Sequence, residues 1–313
     1  FMVVKMRKYF HYSVLSIVFT YLLIFVGGLV RVSGAGMGCP DWPKCFDRWI
    51  PPTSIEQVPE IYLEKFNIVL AWVEYINRLF GAVVGFVILL SCLFAFLYLR
   101  NHKIVIYPIF LALVLTIIEG WLGSILVHTV LNPITITLHL LLALIIIGLI
   151  IYSSMQAYKV IDSNFENGFT YSDNIKNVIL GIFVCIVVEI IIGTEIRGGL
   201  DISRKDNPLV DGIILLKMLG PFKYIHTILG VSLLGLVFYL RKIIYDNHYN
   251  SSEYMRYSVN FMLVLMGVQI FLGETLVFFD VKPLVQLFHM WFSSLLIGLS
   301  VAQYTLWKLS IRE

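Results

Sequence analysis

Charge is what this chain has least of. Lys, Arg, Asp and Glu together make up 14% of its 313 residues, where an ordinary soluble chain carries roughly 25%. The few charges are also balanced, 23 basic against 20 acidic, for a net charge of +3. No basic stripe exists to hold a polyanion, so nucleic acid is excluded as a partner. Four cysteines are too few to staple a chain of this length as a secreted disulfide scaffold. Low polarity equally excludes disorder. What fills the space is apolar: 59% of residues are hydrophobic and the mean hydropathy is +0.86. The length alone would suit about two soluble domains, but the composition overrules it in favour of a polytopic protein whose first partner is the lipid bilayer.

An apolar run of about 18 residues or more is a candidate membrane span. Eight such runs are read, at 12–32, 69–99, 104–128, 134–158, 177–196, 222–240, 257–279 and 284–307. The first follows Lys5, Arg7 and Lys8 but has no small-residue cleavage site, so it is expected to be a span and not a signal peptide. Basic residues crowd one set of connections: Lys5, Arg7, Lys8, Arg100, Lys103, Lys159, Lys176, Arg241, Lys242, Arg256, Lys308 and Arg312. The short connections on the other side hold only Lys282. Both termini are therefore expected in the cytoplasm, and the two long connections, about 33–67 and 197–221, on the outer side. This is the topology of a multi-pass protein of the cell (inner) membrane.

An internal repeat carries most of the information. Tyr75-Ile-Asn77-Arg-Leu-Phe-Gly81 is matched by Tyr224-Ile-His226-Thr-Ile-Leu-Gly230. Glu119-Gly-Trp-Leu-Gly123 is matched by Gln269-Ile-Phe-Leu-Gly273, Pro133 by Pro283 and His139 by His289. Gly27-Gly-Leu-Val-Arg31 mirrors Gly193-Thr-Glu-Ile-Arg197. The expected architecture is all-α: eight transmembrane helices as two tandem, pseudo-symmetric four-helix bundles. The first unit covers 1–165 and the second 166–313. With four spans per unit, the two lie parallel in the membrane.

Seven histidines are present. His11, His102 and His248 fall in cytoplasmic segments or at helix ends, where a solvated histidine needs no further role. His139, His226 and His289 each lie a turn or two inside the outer end of a span, where an ionisable group is a functional candidate by default. His226 and His289 occupy equivalent helices of the second unit and suit axial ligation of one haem iron from both faces; the alternative is that each bonds a backbone carbonyl of a neighbour. The first unit keeps His139 but has Asn77 where the second has His226. An amide is a poor iron ligand, so a haem there has one firm axial partner and one weak or open side. Glu74 lies three residues before Asn77 on the same helix face, and its counterpart is Lys223. This carboxylate is either part of a reactive site or half of a plain Glu74–Arg78 ion pair.

The remaining candidates are polar residues of the outer side and the spans. Cys39 and Cys45 stand six apart in the first outer loop, a spacing open to a small disulfide loop. Cys92 and Cys185 fall inside spans and read as small buried apolar residues. Arg31 and Arg197 are placed to pair haem propionates or to snorkel to the interface. Glu119 and His128 on the third span read as polar packing partners or as parts of the site.

Gly36-Met-Gly-Cys39-Pro-Asp-Trp-Pro-Lys-Cys45, Glu74-Tyr-Ile-Asn-Arg78 and the repeat-related His139, His226 and His289 together resemble the haem A synthases of bacteria and mitochondria, over the whole chain. The resemblance implies oxidation of the C8 methyl of haem O to the formyl group of haem A by successive hydroxylations. It implies haem O delivered by a haem O synthase, haem A passed on for cytochrome c oxidase assembly, and an electron donor still to be identified. It places haem b between His226 and His289, substrate haem O on His139, catalysis on Glu74 and a disulfide at Cys39–Cys45. Two departures stand out. Asn77 occupies a position commonly histidine in the family, and 197–221 lacks the second cysteine pair of some bacterial members. The rival readings are a non-catalytic b-type cytochrome relaying electrons and a transporter built on repeats. No span carries the mid-membrane Gly/Pro break that a transporter favours. A homo-oligomer is compatible with the sequence, and no feature fixes its number.

Overall fold

The computed structural model describes residues 2–166, 169, 171–207, 209–246, 251–279 and 281–310. His248 and Arg312 lie outside the described residues. Among the described residues nine α-helices follow in order: α1 Met2–Val32, α2 Ile68–Tyr98, α3 Lys103–His128, α4 Pro133–Ile161, α5 Asp173–Asp206, the short α6 Gly212–Met218, α7 Phe222–Asp246, α8 Glu253–Phe278 and α9 Pro283–Ser310. All but α6 are long and apolar enough to span a bilayer. The protein is an all-helical, multi-pass membrane protein.

Helix ends are set by local chemistry. Asn67 accepts from the Val69 and Leu70 amides at 3.0 and 3.1 Å, and Asn132 accepts from Ile134 at 3.0 Å with Pro133 at the first helical position. Ser252 does the same for Met255 at 3.1 Å. Hydropathy underestimates two helices. α1 reaches back to Met2, and α5 runs on to Asp206, so the segment expected as a long connection, 197–221, is largely helical. The apolar run ends at the membrane surface but the helix does not: Arg197 and Asp201 pair at 3.0 Å one turn apart, and Arg204 and Lys205 sit in the last turn, where cations suit the helix dipole.

Packing closes two rings. α1 packs on α2 and α4, and α3 on both α2 and α4; α7 and α9 both pack on α5 and on α8. α2 and α4 thus stand diagonally in the first ring, and α7 and α9 in the second. The rings meet along a seam of α4 and α1 against α9 and of α4 against α5. One core gathers Val84, Ile88, Ile109, Ile146 and Ile150; another gathers Ile179, Ile182, Val237, Met262 and Ile297. Between apolar helices, hydroxyls supply the directional contacts. Tyr9 bonds Ser153 at 2.6 Å, Ser153 donates to the Val105 carbonyl at 2.6 Å, Ser13 donates to Ser154 at 2.9 Å and Ser16 bonds Ser91 at 2.8 Å.

The repeat register recurs in burial. Leu144, Ile146, Ile147, Gly148 and Ile150 are buried on α4, as are Ser294, Leu296, Ile297, Gly298 and Ser300 on α9. Gly148 and Gly298 both lie on the seam. A methyl on Gly298 would collide with the Tyr21 hydroxyl and sit 3.0 Å from Ile151 Cδ1. Gly298→Ala is therefore expected to cost about 1–3 kcal/mol by overpacking, read as earlier thermal unfolding in detergent. Gly235→Ala, on the same length scale of change, meets nothing within 4 Å and should unfold at or above the wild-type temperature.

Candidate functional site

The second unit holds a cavity of about 260 Å³, lined by residues of α5, α7, α8 and α9 together with Arg31 of α1. His226 on α7 and His289 on α9 face each other across the ring diagonal, with ring centroids 6.2 Å apart and planes at 72°. Glycines leave the room. A Cβ on Gly193 would lie 3.4 Å from His226 Cε1, and one on Gly273 would lie 3.4 Å from His289 Cε1. Each imidazole thus packs edge-on against bare helix backbone. The polar atoms around this cavity are strikingly underused for buried groups: Nδ1 of His226 and His289, Oε1 of Glu189 and of Gln269, and Nε of Arg31 and Arg197 have no aligned hydrogen bond. In most folded proteins such atoms are satisfied.

Glu189 is the residue the sequence reading missed. Its carboxylate meets His226 Nδ1, leaving Nε2 for other work. The signal was available: an uncompensated carboxylate inside a span is a candidate by default. Arg31 and Arg197 line the cavity, and both lean on one carboxylate, Asp201, at 3.9 and 3.0 Å.

The first unit repeats the pattern with different side chains. Asn77 on α2 and His139 on α4 occupy the diagonal helices. A Cβ on Gly27 would approach Asn77 Oδ1 to 3.9 Å, and one on Gly123 would approach His139 Cε1 to 3.8 Å. These glycines are the register mates of Gly193 and Gly273. Asn77 Oδ1 is buried without a partner. Glu119 places Oε1 3.1 Å from His139 Nδ1, off the line of the N–H, so neither atom has an aligned hydrogen bond there. Glu119 thus lies beside His139. His128, its suggested packing partner, instead contacts the Ser124 carbonyl at 2.8 Å within its own helix; their separation along α3 carries them to different neighbours.

Glu74 is buried, at 4% exposure, and of the two sequence alternatives the ion pair is formed. It pairs with Arg78, and its other oxygen accepts the Cys39 amide at 2.8 Å. Arg78 in turn donates to the carbonyls of Asp41 and Lys44 at 2.8 and 2.9 Å. The loop between α1 and α2 is thus tied onto α2 near Asn77. Cys39 and Cys45 form a disulfide, and Phe46 is buried among Val58, Tyr62, Phe66 and Ala71. Phe46 and Asp47 adopt left-handed backbone, φ 55° and 60°, a conformation non-glycine residues rarely take. Asp41 holds it by accepting their amides at 2.6 and 3.0 Å.

Comparison with known proteins gives a single theme. The sequence model of the cytochrome oxidase assembly protein family, COX15-CtaA, matches residues 10–301. A protein of Wolbachia pipientis wMel named heme A synthase is 27% identical over 91% of this chain and 88% of its own length. Its namesake in the Wolbachia of Brugia malayi is 26% identical over 88% of this chain and 90% of its own. A heme A synthase of Shewanella oneidensis is 32% identical, the match spanning 48% of this chain and 46% of that protein.

Thiol labelling of the denatured, unreduced protein should modify Cys92 and Cys185, the free pair, and spare Cys39 and Cys45. Two labels per chain are expected before reduction and four after it. Four labels before reduction would show an open loop.

Proposed function

The chain belongs to the cytochrome oxidase assembly protein family, COX15-CtaA, and from that premise we propose that it is a haem A synthase. In this reading it oxidises the C8 methyl of haem O by successive hydroxylations. Each places one atom of molecular oxygen in a C–H bond while two electrons and two protons reduce the other atom to water. The second gives a geminal diol that loses water to leave the formyl group of haem A. The observation that carries the proposal is the asymmetry of two register-matched sites: a histidine pair in one, a histidine opposite an amide in the other. An electron-relay cytochrome has no use for a mismatched site, whereas an enzyme needs one open face.

The residues present fit haem. A nitrogen–metal bond of about 2 Å on each side, plus half of each imidazole ring, spans roughly 6 Å, against the 6.2 Å between His226 and His289. The bare backbone at Gly193 and Gly273 makes room beside the rings, and the unpartnered Nε atoms of Arg31 and Arg197 at the same cavity suit carboxylate groups such as propionates. His226 and His289 would hold haem b, which supplies a store of one electron at a time. In the first unit His139 would hold haem O, with Asn77 on the weak side. Glu74 would be the catalytic carboxylate, stabilising positive charge at the reacting carbon or accepting its hydroxyl proton. The loop anchored by Glu74, Arg78 and the disulfide would keep bulk water from this outer end.

We place the protein in the cell (inner) membrane with both termini cytoplasmic, the first unit (1–165) taking haem O from a haem O synthase and the second (166–313) receiving electrons from a donor yet to be identified. Pyridine haemochrome analysis of the purified protein tests the assignment. Haem A or a hydroxylated haem O beside haem B is expected. Haem B alone would make it an electron-relay cytochrome, and no haem a transporter.

Site variants separate the two halves. His226→Ala or His289→Ala should abolish the low-spin bis-histidine signal in electron paramagnetic resonance, whereas His139→Ala should keep that signal and lose turnover. Asn77→His should drive haem in the first unit to six-coordinate low spin. Glu74→Gln keeps an acceptor for the Cys39 amide, so the loop and the haem b spectrum should persist while haem O oxidation falls by about 10²-fold or more. Full activity in Glu74→Gln would reduce Glu74 to a loop anchor.

A further inference from the structure

Each unit carries one carboxylate against one of its site histidines, and the two do not correspond. In the first, Glu119 of α3 meets His139 of α4. The register mate of Glu119 is Gln269, whose main chain, not its side chain, neighbours His289. In the second, Glu189 of α5 meets His226 of α7, and the register mate of Glu189 is Leu23 in α1. The equivalence holds in space as well as in sequence. A Cβ on Gly81 would touch Leu23 Cδ2 at 4.0 Å, and one on the matching Gly230 would touch Glu189 Oε1 at 3.8 Å. The duplicated scaffold has therefore acquired its two buried carboxylates separately, each time at the Nδ1 edge of an imidazole that stands in a glycine-lined slot.

Resting on the reading of these histidines as haem ligands, we propose that Glu119 and Glu189 are positioning residues that accept the Nδ1–H of His139 and His226 and make these two, and not His289, electron-rich axial ligands. A carboxylate on the far nitrogen of a metal-bound histidine fixes its tautomer, orients the ring and raises its basicity. Nδ1 faces the carboxylate in both contacts, so Nε2 is the atom left for iron. The offset between His139 Nδ1–H and Glu119 Oε1 is one that a small turn of the imidazole closes, and the carboxylate 3.1 Å away is the acceptor within reach. The remaining oxygen, Glu119 Oε2, is buried with no partner, so the group has no competing bond to satisfy it.

The consequence differs between the sites. At the first, the enriched ligand His139 stands opposite the amide of Asn77, which gives the iron one strong donor and an open face. That pairing favours a five-coordinate haem able to take a small ligand on the Asn77 side. At the second, the enriched His226 stands opposite His289, which holds the iron closed and lowers its potential, suiting electron transfer. One carboxylate per unit thus tunes two haems in two ways.

The repeat supplies the substitutions that test this. Glu119→Gln gives the first site the side chain of the second, Gln269→Glu makes the reverse exchange, and Glu189→Leu installs the residue of the first unit. The full-length protein is purified with its haems and studied in the ferrous state. Resonance Raman should show an iron–imidazole band from the five-coordinate haem that moves to lower frequency in Glu119→Gln and returns towards wild type in Glu119→Asp. Redox titration should raise the midpoint potential of the first-site haem in Glu119→Gln and of the second-site haem in Glu189→Leu, each leaving the other haem unmoved. Gln269→Glu should lower the second-site potential. A purely structural carboxylate would reduce haem content or thermal stability while the band and potential of the retained haem stay fixed, and that result overturns the proposal. Wild-type protein that binds no haem overturns the functional reading and this inference with it; haem bound with unmoved signals overturns the inference alone.

Discussion

No water reaches a polar side chain deep in the hydrocarbon layer, so each must find its partner on a neighbouring helix or leave its hydrogen-bonding capacity unspent. The whole arrangement follows from that constraint. Near one end of the first unit hydroxyls meet hydroxyls: Tyr9 with Ser153, Ser13 with Ser154, Ser16 with Ser91. Elsewhere the accounting does not close, as at Gln156, Ser300 and Gln303, and at Asn77, Glu119, His139, Glu189, His226, Gln269 and His289. What sets the last seven apart is their company: they are the polar groups that gather on facing helices around the register-matched glycines.

Glycine sets the geometry of that region. Haem-sized space inside a four-helix ring requires side chains on the diagonal helices to project inward while the other two helices step back. Gly27 and Gly123 in the first ring, and Gly193 and Gly273 in the second, do this by presenting backbone to the edge of the facing residue. The seam uses the same device for the opposite purpose. Gly148 and Gly298 let α4 and α9 approach closely, so the two rings are locked together along the seam. The disulfide loop then closes the first unit from outside. Gly38 is pressed so near the Leu70 carbonyl that no side chain fits, which brings the Cys39 amide within reach of Glu74.

The sequence made the long apolar helices legible because hydropathy and spanning length are the same physical quantity. It made one histidine position legible because a duplicated chain writes it twice: His139 and His289 share one register, whereas His226 is matched by Asn77. What it hid was of two kinds. The ends of α1 and α5 lie outside the apolar runs, where i,i+4 pairs such as Arg197–Asp201 sustain a helix that hydropathy does not see. The carboxylate contacts cross between helices, and which ring faces Glu119 depends on the rotation of α3 about its own axis. His128 is its neighbour in sequence and His139 its neighbour in space. Glu74 was legible as a carboxylate on the Asn77 face, but its hold on the outer loop depends on a turn that only the folded chain defines.

Duplication explains why two sites of one origin can be so unlike. A haem held by two histidines is closed to chemistry at iron, and opening it means giving up a ligand. In a single-site protein that exchange would trade storage for reaction. On the proposed reading two rings make the trade unnecessary, because one carries His226 and His289 while the other has Asn77 at the position matching His226. The further differences follow the same division. Glu74 stands where the second unit has Lys223, so the first site carries a carboxylate at its mouth and the second a cation. Arg31 of the first unit lines the cavity of the second and shares Asp201 with Arg197, so the closed site draws its cationic rim from both rings. Both sites nonetheless carry both signs, since Glu74 is paired with Arg78 in the first and Glu189 lines the second cavity with Lys223. The divergence therefore lies in which side chain faces the ring, Asn77 or His226, and the seam between α1, α4, α5 and α9 is what brings Arg31 to the second cavity.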